Sequence, residues 1–133
     1  MRTRVIVRTL FTAFVLLTLG LAVRAEENPK VGQIEGTVRF QGKPLPGGTV
    51  SFHPDKGKPF VAQLQDDGSY TLKDVPVGAM RVTIETESLK NPAKPPKGGK
   101  KYVPIPRAYA DPKTSGLTYT MLEGRQAFDI ELK

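Results

Sequence analysis

From Gln33 onward the apolar residues come at every second position in short runs, and each run is cut by glycine, proline or aspartate. Successive side chains of a strand point to opposite faces, so this period sends one row into a core and the other into water. Ile34, Val38 and Phe40 alternate with Glu35, Thr37 and Arg39 in the first run. The stretch Gly42-Lys43-Pro44-Leu45-Pro46-Gly47-Gly48 then interrupts it with residues that suit turns and do not propagate a ladder. A strand over 49–53 turns Val50 and Phe52 inward, and after the breaker 54–59 a strand over 60–65 turns Phe60, Ala62 and Leu64 inward.

Asp67-Gly68 follows at once and predicts a hairpin back into a strand over 69–73, with Tyr70 and Leu72 inside. Pro76 and Gly78 mark the next turn, before a strand over 79–86 with Met80, Val82 and Ile84 inward. Strands over 117–121 and 126–132, joined around Glu123-Gly124, complete the set. Seven short strands without a helical period predict an all-β fold, a seven-stranded antiparallel Greek-key β-sandwich in a single domain over 26–133. Between the fifth and sixth strands, residues 87–116 carry Pro92, Pro95, Pro96, Pro104, Pro106 and Pro112. Such a segment cannot hold a regular ladder and is expected to run extended over the surface. Loops of this length are usually functional or disordered.

The chain opens with Arg2, Arg4 and Arg8, no acidic group, and then an apolar run over 9–23 that ends at Val23-Arg24-Ala25. A charged stretch, an apolar stretch and small residues at the end describe an export signal over 1–25, cleaved after Ala25. The apolar run is shorter than the roughly 20 residues that span a bilayer, which sets the alternative of an uncleaved anchor second. Without a twin-arginine pair the general secretory route is expected, with the periplasm or the medium as destination. The sequence holds no cysteine, which excludes acylation on cysteine, disulfides and thiolate metal sites. The signal contains four of the 20 lysines and arginines and none of the 13 acids, so the net charge of +7 falls to +3 in the rest. That surplus is small for a nucleic-acid partner, and contact with a membrane is expected only through the signal.

The basic residues are concentrated instead: Lys90, Lys94, Lys97, Lys100 and Lys101 lie on the proline-rich segment, beside Tyr102 and Tyr109. Five ammonium groups on a flexible strip suit an anionic polymer or an acidic envelope protein. Tyr102 and Tyr109 are the exposed aromatic candidates for a polysaccharide, since the chain has no tryptophan and Tyr70 belongs to the predicted core. A single histidine cannot build a zinc-peptidase ligand set, and His53 reads as a surface residue at a strand end. No serine has a plausible base, and turn chemistry accounts for Asp66 and Asp67 without calcium. Catalytic residues, metal ligands and cofactors are therefore none in this reading. Gly42, Pro44, Gly47, Asp67, Gly68, Pro76 and Gly78 are assigned to structural turns.

Two segments together carry a family resemblance. The run from Gly36-Thr37-Val38 through Gly42-Lys43-Pro44-Leu45-Pro46-Gly47-Gly48 to Thr49-Val50 resembles the opening of the carboxypeptidase regulatory-like family. Asp66-Asp67-Gly68-Ser69-Tyr70-Thr71-Leu72, continuing through Val75-Pro76-Val77-Gly78 to Met80-Arg81-Val82-Thr83-Ile84, is similar to that family's hairpin, turn and following strand. Residues 104–118 are similar to a segment of small exported proteins, often lipoproteins, from which this chain departs by having no cysteine to acylate. The resemblance implies a transthyretin-like sandwich, also described as a carbohydrate-binding-like fold, that acts as a non-catalytic accessory. Hydroxyisourate hydrolases on the same scaffold complete a His and Arg cluster with a tyrosine-rich C-terminus. Here the chain ends Phe128-Asp129-Ile130-Glu131-Leu132-Lys133, a plain alternating strand. The expected function is an exported binding or structural module of the bacterial cell envelope, with a carbohydrate-binding module and a hydrolase on this scaffold as the competing readings.

Overall fold

A computed structural model describes residues 28–90 and 101–133. The expected signal over 1–25 and three of the five lysines, Lys94, Lys97 and Lys100, lie outside the described residues. The rest is all-β. Its strands are β1 (Val31–Phe40), β2 (Lys43–Pro44), β3 (Thr49–Pro54), β4 (Phe60–Gln63), β5 (Ser69–Pro76), β6 (Gly78–Glu85), β7 (Leu117–Met121), β8 (Gly124–Ala127) and β9 (Ile130–Leu132). Two single 3₁₀ turns, Glu87–Lys90 and Arg107–Ala110, are the helical elements among the described residues.

The strands form two sheets. In one, β1 is central, paired along one side by β5 and then β2, and along the other by β8 and then β9. The second runs β4-β3-β6-β7, antiparallel throughout. Alternation places the apolar rows of both sheets face to face. Ile34, Val38, Val50, Phe52, Leu64, Val75, Val82 and Ile84 are each 0% exposed there, with Tyr70 beside them at 2%. Each large aliphatic or aromatic side chain so placed contributes about 1.5–3 kcal/mol relative to leaving it in water.

Five sequence expectations need correction. Asp67-Gly68 makes a tight turn, with Gly68 N–H bonded to the Gln65 carbonyl at 2.9 Å and Gln65 N–H to the Ser69 carbonyl at 2.8 Å, but the strands on either side do not ladder with each other beyond it. β4 ladders with β3 and β5 ladders with β1, so the turn carries the chain from one sheet to the other. The Val38 N–H, bonded to the Gly68 carbonyl at 2.8 Å, draws the outgoing strand onto β1. Secondly, the sheet around β1 is mixed, because β8 and β9 pair with it in parallel.

The predicted strand over 126–132 is also split at Phe128-Asp129. There the Phe128 N–H bonds to the Glu35 carbonyl at 2.9 Å, and the Asp129 carboxylate accepts the Thr37 N–H at 2.9 Å in place of a backbone carbonyl. The Phe128 backbone crosses so close to Gly36 that a Cβ there would overlap its carbonyl. In addition, Lys43-Pro44 leaves the predicted turn to become β2, facing Arg39-Phe40 across Gln41-Gly42. Both loop residues have positive φ, 51° and 79°, as a two-residue hairpin loop requires.

The segment 101–116 is more than a surface loop. Val103, Ile105 and Tyr109 pack against the core, and the Thr86 hydroxyl, on a residue 1% exposed, donates to the Val103 carbonyl at 2.7 Å. β7 pairs β6 only along Gly78–Val82, and the 3₁₀ turn Arg107–Ala110 also lies against β6. The segment is a strap fastened over one end of the sandwich.

Candidate functional site

Of the predicted lysine strip, the described members are Lys90 and Lys101, and the residues beside them are joined at one rim. Tyr102 donates its hydroxyl to Glu87 Oε1 at 2.8 Å, while Lys90 Nζ stands 5.6 Å from the Tyr102 ring centroid and 3.9 Å from Glu87 Oε2. The hydrogen bond to Glu87 is the main reason the Tyr102 hydroxyl titrates above the ordinary tyrosine range. Tyr109 is held as well, accepting the Lys133 N–H on its hydroxyl at 3.1 Å. Both rings are half-buried and engaged, so neither stands out as a free flat platform.

Lys101, exposed, meets a residue that sequence reasoning had given to a turn. With Lys43 it borders a hollow of about 600 Å³ between the β1–β2 hairpin and the strap. The floor is apolar, made by Phe40, Pro44, Leu45, Pro46 and Val103, and Leu45 is 1% exposed. Much of the backbone around this floor is already paired. Phe40 ladders with Lys43 and Leu132, Leu45 N–H donates to the Val38 carbonyl at 3.0 Å, and Val103 O accepts from Thr86. Pro44 and Pro46 have no N–H to offer. The polar groups lining the hollow thus come chiefly from Lys43, Lys101 and Gln41, and its charged side chains are both cationic.

Two smaller hollows differ in sign. One, of about 240 Å³, sets Asp55 with Arg81 beside Thr118 and Thr120; the other, of about 290 Å³, sets Arg39 with Asp129 and Glu131. The first balances acid against base, and the second sets one base against two acids.

The remaining sequence candidates fall apart from this site. His53 is half-buried on the outer row of β3, its Nε2 2.8 Å from Thr83 Oγ1. No group of histidine and carboxylate residues that could hold a metal occurs among the described residues. Asp67 caps its own turn, accepting the Ser69 hydroxyl at 2.6 Å and the Ser69 N–H at 3.0 Å, and the hydroxyl above all holds its carboxyl below the usual range. Tyr70 lies in the core, as expected, and burial raises its hydroxyl far above the ordinary value. Of the turn residues, Gly42, Gly68 and Gly78 have φ of 79°, 80° and 139°, Pro44 lies in β2 and Pro76 ends β5. Gly47 is buried. The pairing of Lys43 with Lys101 had no signal in the sequence beyond the hairpin that brings Lys43 back opposite Phe40.

No protein-family profile matches this chain, and no curated protein does. Among solved structures, a DUF3823 family protein from Parabacteroides merdae superposes with a TM-score of 0.49 at 16% identity, over 80% of this chain and 47% of that one. The Bacillus anthracis TIE protein superposes with a TM-score of 0.45 at 15% identity, over 80% of this chain and 17% of that one. The chain therefore spans less than half the length of either protein.

Proposed function

We propose that this chain is an exported, non-catalytic binding or structural module of the bacterial cell envelope, of the carboxypeptidase regulatory-like, transthyretin-like kind, that meets an anionic envelope component through its lysine strip. The observation that carries the reading is the fastening of Lys90 and Lys101 to one rim, through Glu87, Tyr102 and the Thr86–Val103 hydrogen bond. A basic strip tied at both ends loses less freedom on binding than a free tail does. The seven-stranded part of the Greek-key reading is supported by the strand count, which comes to seven when β8 and β9 are taken as one interrupted strand and β2 as part of its hairpin. Export is supported by the sequence over 1–25.

The test uses protein expressed from the full chain in a bacterial host. Intact mass should place its first residue at Glu26, whereas a mass that includes residues 1–25 would mean a retained anchor. The exported protein should be held on immobilised dextran sulfate at low salt and released by added salt. Passage without delay would remove the anionic partner, and delay in a gel containing an uncharged polysaccharide would favour the carbohydrate-binding alternative.

A further inference from the structure

We infer that the hollow between the β1–β2 hairpin and the strap is a binding site for a single-chain anionic amphiphile, its carboxylate or other acidic head on Lys43 and Lys101 and its apolar body over Phe40, Pro44, Pro46 and Val103. This goes beyond the lysine-strip reading, since it concerns a different ligand and shares only Lys101 with it. The volume of about 600 Å³ lies within the range of pockets that enclose small ligands. Three features select the class.

The charged groups at the rim share one sign, unlike those of the two smaller hollows, where acid and base face each other. Two ammonium groups set against an apolar floor complement an anion that carries hydrocarbon, because a fully hydrated polyanion would gain nothing from the floor. The backbone supplies the second argument. With Phe40, Leu45 and Val103 already paired and prolines at 44 and 46, the floor is poorly placed to add an extended peptide as a further strand. A ligand that needs hydrogen bonds only at its head suits it better. Thirdly, both walls are braced from outside the hollow. Gln41 N–H bonds to the Leu132 carbonyl at 3.1 Å and Gly42 N–H to Glu131 Oε1 at 3.1 Å, while Thr86 holds the strap at Val103. A concave face held in this way is formed before the ligand arrives, which lowers the cost of ordering it.

The test is calorimetric titration of dodecanoate, below its micelle concentration, into protein expressed from the full chain. Saturable one-to-one binding is expected, with dodecyltrimethylammonium failing to bind. The double change Lys43→Gln with Lys101→Gln should weaken dodecanoate by about tenfold or more, since it removes both charge-assisted contacts, and the Lys43→Arg with Lys101→Arg pair should largely keep it. Both lysines are exposed, so neither pair should unfold the domain, which a melting curve checks. The triple change Lys94→Gln, Lys97→Gln and Lys100→Gln should leave dodecanoate binding intact while stripping retention on dextran sulfate, so the two readings fail separately. The inference is overturned by an absence of saturable binding, by equal binding of the cationic amphiphile, or by dodecanoate affinity indifferent to Lys43 and Lys101. An acidic peptide that binds in a Lys43-dependent way where dodecanoate does not would likewise overturn the ligand class.

Discussion

The Tyr70 hydroxyl donates to the Phe128 carbonyl at 2.5 Å, joining the start of β5 to the break between β8 and β9 across the width of β1. The Tyr70 ring lies 6.0 Å from Phe52 across the interface of the two sheets, so one side chain ties the sheets together and satisfies a carbonyl that the broken strand leaves outside its ladder.

Replacing Tyr70 with phenylalanine should keep the ring packing and lose the hydrogen bond. The cost is expected at about 1–3 kcal/mol, because the Phe128 carbonyl loses its hydroxyl partner. A urea midpoint that does not move would show that water takes over the bond.

The same hydroxyl predicts an alkaline limit. Burial first, and then the nearby Asp129 carboxylate, raise its folded pKa above the ordinary 10.0, so folding favours the protonated form. The contribution to stability is complete below pH 10.0 and is lost as pH rises towards the folded value. Thermal melts of the wild type should therefore fall more steeply above pH 10.0 than those of Tyr70→Phe; parallel curves would remove Tyr70 as the cause.

Gly36 and Gly78 separate two reasons for glycine. At Gly36 a Cβ meets the Phe128 carbonyl, so alanine must displace the β8–β9 edge, at about 1–3 kcal/mol for a forced backbone shift. At Gly78 the space is open and the obstacle is φ of 139°, so Gly78→Val should cost about 1–3 kcal/mol through backbone strain alone. Hydrogen exchange tells them apart: Gly36→Ala should expose amides of β8 and β9, and Gly78→Val should leave them protected.

The strands were legible because alternation is enforced by a two-faced sheet. Ile34, Val38, Val50, Phe52, Ala62, Leu64, Tyr70, Met80, Val82 and Ile84 all point inward as the sequence predicts, and all are buried. Strand partners were not legible. Asp67-Gly68 has the same local chemistry whether the next strand folds back or crosses to the other sheet, and the deciding Val38–Gly68 bond spans thirty residues of sequence. Phe128, Ile130 and Leu132 keep perfect alternation through a strand that is broken, since the side chain of Asp129 substitutes for a backbone acceptor. Val103 and Ile105 show the period too, but Pro104 and Pro106 make them read as surface loop. Proline forbids a ladder without forbidding burial of its neighbours, and for that reason the strap wall of the hollow was missed.

Thr86→Val removes the hydroxyl that holds Val103 while keeping the side-chain volume. The fold should lose about 0.5–1.5 kcal/mol, the net worth of one hydrogen bond, or somewhat more if the Val103 carbonyl stays dry. The local effect should be larger than the global one, with limited proteolysis quicker within 101–110 and unchanged in β3 and β6. Equal protection of the strap in both proteins would mean that Val103, Ile105 and Tyr109 hold it by apolar contact alone.

Changing Lys90, Lys94, Lys97, Lys100 and Lys101 together to glutamine tests whether the strip binds or merely solubilises. Of the two described members, Lys90 pairs with Glu87 at 3.9 Å with both side chains substantially exposed, and such pairs contribute about 0–1 kcal/mol. Lys101 is exposed at the rim of the hollow. The melting temperature should therefore barely change, while retention on dextran sulfate disappears. Wild-type retention should itself weaken steeply with salt, because exposed charges are screened beyond about 8 Å at physiological ionic strength. The two effects must appear together. Retention that survives both the substitution and high salt would place the contact on an apolar surface, and a large loss of stability would mean that the lysine segment is as firmly packed as the strap that follows it.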